Sequence, residues 1–268
     1  MSLLKKLFQA ISGKKYRKCP NGAVTSREER RALEAGLINS EQIMTYCDSH
    51  TTGLAHDSIT DTLDSNWDIN SREEATEALE SLSRYGHRFL YDIVFPIYMK
   101  GSPEDEVHEV LEALVASGRY GPPETVRGLI AAEESSEEKH QVLAALGKAM
   151  DMLENIRSVF RLLKDKVNGQ YPPKDYSNGI LAWDLGRLVT VSRMSFDCGY
   201  IEKEELSRIL AHVDSELHSN FSSWPQFAKS YIIGRASWSG QNMMLDGIIG
   251  TAEDLMTDKD SPWVLSPL

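Results

Sequence analysis

Cysteine is scarce in this chain of 268 residues: Cys19, Cys47 and Cys198 are far apart and odd in number. No CxxC pair and no cysteine–histidine cluster accompanies them. A disulfide framework and a structural zinc site are therefore not expected, and a reducing compartment, the cytoplasm, is the natural home. Long apolar runs are lacking as well. The stretch from Phe89 to Met99 is broken by Tyr91, Asp92 and Pro96, which argues against a membrane span. Basic residues are in deficit, 29 Lys and Arg against 40 Asp and Glu, for a formal net charge of -11. A general nucleic-acid binder needs a basic face to neutralise phosphates, so nucleic acid is not an expected partner and a basic protein is. Runs of alternating β-branched residues are missing, which leaves little or no sheet. The familiar catalytic templates are missing too: no GxSxG elbow, no Walker loop, no GxGxxG after a strand and no HExxH. His50 and His56, with Asp48 and Asp57 nearby, are a weak metal pattern, and no metal or cofactor is expected.

What the chain does have is helical punctuation and period. Ser26-Arg-Glu-Glu29 reads as a capping box that opens a helix to about Ala35, where Gly36 stops it. Ser40 is then expected to cap a second helix containing Ile43, Met44 and Cys47. Residues 53–66 give no clear pattern. Asn70-Ser-Arg-Glu-Glu74 starts a helix with Ala75, Ala78, Leu79, Leu82 and Tyr85 on one face, ended by Gly86. Further helices are expected from His87 to Met99, after Pro103, from Val142 to Val167, Ile180 to Cys198, Glu202 to Asn220, Trp224 to Trp238 and Met243 to Met256. The fold class is mostly α, a multi-helix globular assembly. It divides into a basic amphipathic segment 1–18, a helical half 19–167, a connector 168–178 with Pro172 and Pro173, and a second helical half 179–268.

Residues 1–18 carry Lys5, Lys6, Lys14, Lys15, Arg17 and Lys18 and no acid, with Leu3, Leu4, Leu7, Phe8 and Ile11 at helical spacing. Such a segment reads as a helix docked on the protein or a frayed tail, with weak contact to an anionic membrane surface as the alternative. Nothing in the sequence sets an oligomeric state.

The C-terminal third concentrates chemistry-bearing side chains. It holds Trp183, Asp184, Arg187, Arg193, Asp197, Trp224, Tyr231, Arg235 and Trp238, and four of the five tryptophans. Asp184 and Arg187 are three apart and Arg193 and Asp197 four apart, so each pair can meet along a helix face. Arg235 sits four residues from Tyr231 and three from Trp238, a spacing that suits a guanidinium stacked on aromatic rings. His87, in Gly86-His-Arg88, could reach this cluster or be an ordinary structural histidine.

The segments Ala182-Trp-Asp-Leu-Gly-Arg187, Gly199-Tyr-Ile201, Ser230-Tyr-Ile-Ile-Gly-Arg235 and Ser261-Pro-Trp263, with Trp67-Asp-Ile-Asn-Ser-Arg-Glu-Glu74 and Gly86-His-Arg88, resemble the bacterial domain-of-unknown-function family 1266. The resemblance implies a helical fold and a bacterial source and carries no activity. Two functions fit the residues. One is a non-catalytic interaction module, immunity- or antitoxin-like, that binds a basic partner. The other is an enzyme whose Asp184 acts as acid or base while Arg187, Arg193 or Arg235 holds an anionic small substrate. Three spaced, unpaired cysteines also give a measurable expectation. Thiol titration of denatured, unreduced protein should return three free thiols, and a lower count would reveal a disulfide.

Overall fold

The computed structural model describes residues 15–101, 104–166, 178–240 and 242–268, without the side chains of 162–166. The segment 1–14 and most of the expected connector 168–178 lie outside the described residues. The described residues form helices and no strand. In chain order these are α1 Arg27–Ala35, α2 Leu37–Ile43, α3 His56–Trp67, α4 Arg72–Arg84, α5 Arg88–Lys100, α6 Glu106–Ala116, α7 Pro123–Ala131, α8 Glu137–Lys166, α9 Leu181–Asp197, α10 Lys203–Asn220, α11 Trp224–Ser239, α12 Met243–Thr257 and α13 Pro262–Leu265. All three cysteines are free thiols.

Two compact units divide the chain. The first is built from residues 1–86, 181–232 and 246–268, and the second from 87–180 and 233–245.

In the first unit, the start signals act as the sequence suggests. Ser26 accepts from the Glu29 backbone at 3.3 Å and Ser71 from that of Glu74 at 3.2 Å, each satisfying a backbone donor that the helix itself leaves unpaired. Glu74 also reaches back to the Asn70 backbone N–H, at 2.7 Å. Ser40 does not behave as expected. It is buried inside α2, which begins right after Gly36 and ends at Met44 in the left-handed region, so Cys47 lies beyond the helix. The unread stretch 53–66 contains α3, which has no capping side chain. It buries only Ile59 and Leu63, too thin a stripe to announce a helix.

α9 is the centre of the first unit. Nearly every residue from Ala182 to Ser195 is buried, and α1, α2, α3, α4 and α10 all pack against it. A helix apolar around its whole circumference belongs in a core, yet this one carries Asp184, Arg187, Arg193 and Asp197. Small residues let neighbours come close. A Cβ on Gly36 would stand 2.8 Å from a Val189 methyl, and one on Gly186 would stand 2.6 Å from the Tyr231 ring.

Arg193 and Asp197 do not clasp each other, as their spacing allowed. They fasten the 44–54 loop. The Arg193 guanidinium donates to the carbonyls of Tyr46 and Thr51, both at 2.7 Å, and to His50 at 3.4 Å, with Ser40 and Thr45 hydroxyls at 3.3 and 3.5 Å. Asp197 accepts from the Thr52 backbone at 2.7 Å and from its hydroxyl. Burial pulls Arg193 down to about 10, with Asp197 opposing the fall, so the side chain is still a cation at neutral pH. The loop is closed from outside by Arg17, which lies 4.3 Å over the Tyr46 ring and donates to the carbonyls of Met44 and Gly53.

The second unit packs α5, α6 and α7 around the long helix α8. Tyr91, Phe95, Tyr98 and Phe160 form its aromatic cluster, with Tyr91 and Phe95 stacked at 5.0 Å. Val115, Val126 and Val142 make a smaller apolar knot under Leu111, Tyr120 and Ile130.

Replacing Arg193 by Ala strands two strongly held carbonyls and leaves a cavity. We expect a stability loss of roughly 3–5 kcal/mol by urea unfolding. Loss of hydrogen-exchange protection should be concentrated in residues 44–54. A loss below about 1 kcal/mol would mean that the guanidinium does not hold the loop.

Candidate functional site

The first two turns of α9 set the geometry. Trp183, Asp184 and Arg187 fall there at one-turn spacing, and the helix direction brings Asp184 and Arg187 to the same face. The Arg187 Nη2 to Asp184 Oδ1 distance is 2.5 Å, and their side chains are 8% and 1% exposed. A charge-assisted bond in so dry a setting is strong, and breaking it leaves a buried charge unmet. The guanidinium lies 4.8 Å from the Trp183 ring and 5.6 Å from that of Trp67 at the end of α3. The flat, weakly hydrated cation is suited to lie among such rings.

Asp184 also explains Gly86. This glycine has φ +56°, where other residues are strained, and a Cβ there would stand 2.1 Å from Asp184 Oδ2. The carboxylate therefore lies directly against the bare backbone at the end of α4. Gly86 is read in the sequence as a helix stop, but its second role as a landing for the carboxylate needs the fold to be seen.

Tyr231 meets the same helix. Its ring is edge-on to Trp183 at 5.2 Å, and its hydroxyl donates to Asn39 Oδ1 at 2.5 Å. Asn39 in turn donates to Thr190 Oγ1 at 3.2 Å. Sequence reading missed Asn39 because a lone asparagine in a helix carries no motif. Trp224 stacks on Trp263 at 4.8 Å with the rings nearly parallel. Arg193 and Asp197 sit further along α9 and serve the 44–54 loop.

Arg235 and Trp238 belong to the second unit. Arg235 is buried, and Trp238 is 37% exposed with His87 stacked on it at 3.6 Å. The histidine singled out in Gly-His-Arg thus does reach one member of the cluster. Asn155 holds the same end of α11 by donating to the carbonyls of Ser237 and Trp238, both at 3.2 Å.

Of the nine residues picked from the sequence, Trp183, Asp184, Arg187 and Tyr231 form one contact group in the first unit. Chemically that group can hold a charge pair in the dry state and fix the approach of α3, α4 and α11 to α9. Among the described residues no group of three or more His, Cys, Asp or Glu is arranged to hold a metal ion. No helix among them is long and apolar enough to cross a membrane. A family model described as "Protein of unknown function (DUF1266)" matches residues 62–268. No curated protein and no solved structure matches the chain.

The contact between Gly86 and Asp184 can be measured with a double-mutant cycle. Asp184→Ala should cost roughly 3–5 kcal/mol by leaving Arg187 buried without its carboxylate. Gly86→Ala alone should cost more than the same change made in the Asp184→Ala background, by at least about 1 kcal/mol. Additive losses would show that the two positions do not share a contact.

Proposed function

We propose that this chain, which belongs to the DUF1266 family of proteins of unknown function, is a non-catalytic interaction module that binds a basic protein. The observation that carries the reading is where its charges stand. Residues 57–80, on α3 and α4 and the turn between them, contain eight acids: Asp57, Asp61, Asp64, Asp68, Glu73, Glu74, Glu77 and Glu80. All eight are exposed. The one base in that stretch, Arg72, is turned to Glu205 at 2.9 Å. An acidic face of this kind steers and orients a basic partner.

Opposed to that surface, the Asp184–Arg187 pair is closed in and engaged in joining helices. This weakens the enzyme reading, in which the same pair would have to face a substrate. A bacterial cytoplasm, with an immunity- or antitoxin-like task of masking a basic partner, is the setting we propose. The three free thiols and the family membership are consistent with it.

Affinity recovery from the native host should return one basic protein in stoichiometric amount. Its affinity should fall roughly tenfold or more as salt rises from low to about 0.3 M, because exposed charges are screened over that range. Reversing Asp57, Asp61, Glu73 and Glu77 to Lys should abolish recovery while the helical circular-dichroism signal is kept. Salt-insensitive binding, or undiminished recovery with the reversed face, would refute the proposal.

A further inference from the structure

Glu34 lies in the last turn of α1 and is 2% exposed. Its Oε2 meets no hydrogen-bond donor among the described residues. Packed on this part of α1 is the strap Ser261–Leu268, which contains α13. Two indoles tie it down. Trp263 of the strap donates to the Glu34 carbonyl at 2.9 Å, and Trp224 of α11 donates to the Ser266 carbonyl at 2.9 Å. The two indole rings stack on each other, and the Ser261 hydroxyl donates to the Leu255 carbonyl at 2.6 Å.

Trp263 also meets the Phe227 ring edge-on at 6.0 Å, and Ser261 and Trp263 are buried, whereas the tip of the strap is open. Val264 and Leu265 are 41% and 69% exposed, and a single helical turn has no stability of its own. The strap's residues 261–268 carry no charged side chain. The Glu34 carboxyl therefore faces an apolar and hydroxyl-bearing cover.

The charged groups around it are committed elsewhere. On α1, Arg31 forms a two-pronged clasp with Asp214 of α10, at 2.7 and 3.0 Å, and Arg30 donates to the Val24 carbonyl at 3.3 Å. Glu29 turns to Ser207 and to His50. On α10, His218 lies 3.7 Å from Asp214. On α2, Glu41 accepts from the Tyr16 backbone. On α9, Asp184 pairs with Arg187, and Arg193 and Asp197 bind the 44–54 loop. Burial pushes the Glu34 carboxyl up to about 8. Ser266, Arg30 and Arg31 pull it the other way without offsetting the burial.

We propose that the Ser261–Leu268 strap is a proton-controlled latch, held shut by a neutral Glu34 and loosened as that carboxyl ionises and draws in water. The carboxyl O–H bond gives up its proton to water, and no other covalent bond changes. Opening exposes the Glu34 carboxylate and the face of Trp224 that Trp263 covers.

The sign follows from which state holds the proton. With the strap open, Glu34 is wet and titrates near its ordinary value of 4.5, whereas shut it keeps its proton up to about 8. The shut state is therefore fully favoured below the lower value. It loses ground by about tenfold per pH unit between the two and levels off above the higher one.

Hydrogen exchange of the full chain, read by mass spectrometry and corrected for intrinsic rates, tests this. Peptides covering residues 261–268 should lose roughly a hundredfold in protection between about pH 5.5 and about pH 8. Peptides from α9 should keep theirs, and Glu34→Gln should make strap protection independent of pH. A flat or rising wild-type profile would overturn the latch. So would an equal loss in α9, which would mark global unfolding, or a Glu34→Gln profile with the wild-type slope. The wild-type comparison decides by itself if the variant does not fold.

Discussion

A charged helix cannot be buried unless each charge is met where it lies, and α9 imposes that requirement on the whole first unit. Its four ionic side chains sit on a segment where nearly every residue is out of water. Asp184 is met by Arg187 one turn on, Asp197 by Thr52, and Arg193 by carbonyls and hydroxyls of residues 40–51. An unmet charge in such a place costs several kcal/mol. The 44–54 loop therefore has to fold against α9, and its own shape follows. Gly53 takes a left-handed turn where a Cβ would overlap the Tyr46 ring, and Arg17 seals that ring from outside.

The same requirement bears on what the conspicuous residues are for. Tryptophan, aspartate and arginine gathered in one third of a chain suggest a pocket. In the first unit they are spent on joining helices. The Asp184 carboxylate rests on the bare backbone of Gly86, the Arg187 guanidinium lies near Trp67 and Trp183, and Tyr231 reaches Asn39. Such a group favours one helix arrangement over others, since a slip of α4 or α3 along α9 would lift Gly86 off the carboxylate or the Trp67 ring off the guanidinium. The acids on α3 and α4, by contrast, are on the outside, where they outnumber bases.

Much of this was legible in the sequence, and the reason is local. Ser26, Ser71 and Gly86 act through backbone groups within a few residues of themselves, so their effect is written in a short window. The 3.6-residue period marked α4 and α8, helices were also expected where α9, α10 and α12 stand, and the Asp184–Arg187 contact follows from spacing alone. The family was visible in the same motifs and is matched over residues 62–268. Readings failed where a distant residue takes over. Ser40 looks like a cap, but Arg193, 153 residues away, draws its hydroxyl into the core. Arg193 and Asp197 have the spacing of a helical ion pair, but the loop offers both better partners. α3 has neither cap nor stripe and is held by what packs on Ile59 and Leu63. The assembly of the first unit from three separate stretches, residues 1–86, 181–232 and 246–268, is likewise set by packing across the chain.

Arg193 and Glu34 are both buried ionisable groups, and the fold deals with them in opposite ways. A guanidinium keeps its charge at any ordinary pH, so it can be buried only if the charge is fully dressed. Backbone carbonyls do this well, because they accept hydrogen bonds without needing a counter-charge. A carboxyl can shed its charge instead. Glu34 is covered by indole, hydroxyl and apolar groups, which suit its neutral form and give the anion little. The arginine contact thus stays in place across the range where the protein is folded, whereas the one over Glu34 weakens as the proton leaves. Permanence at the 44–54 loop and responsiveness at the 261–268 strap come from the same cost of burying charge, applied to one side chain that can escape it and one that cannot.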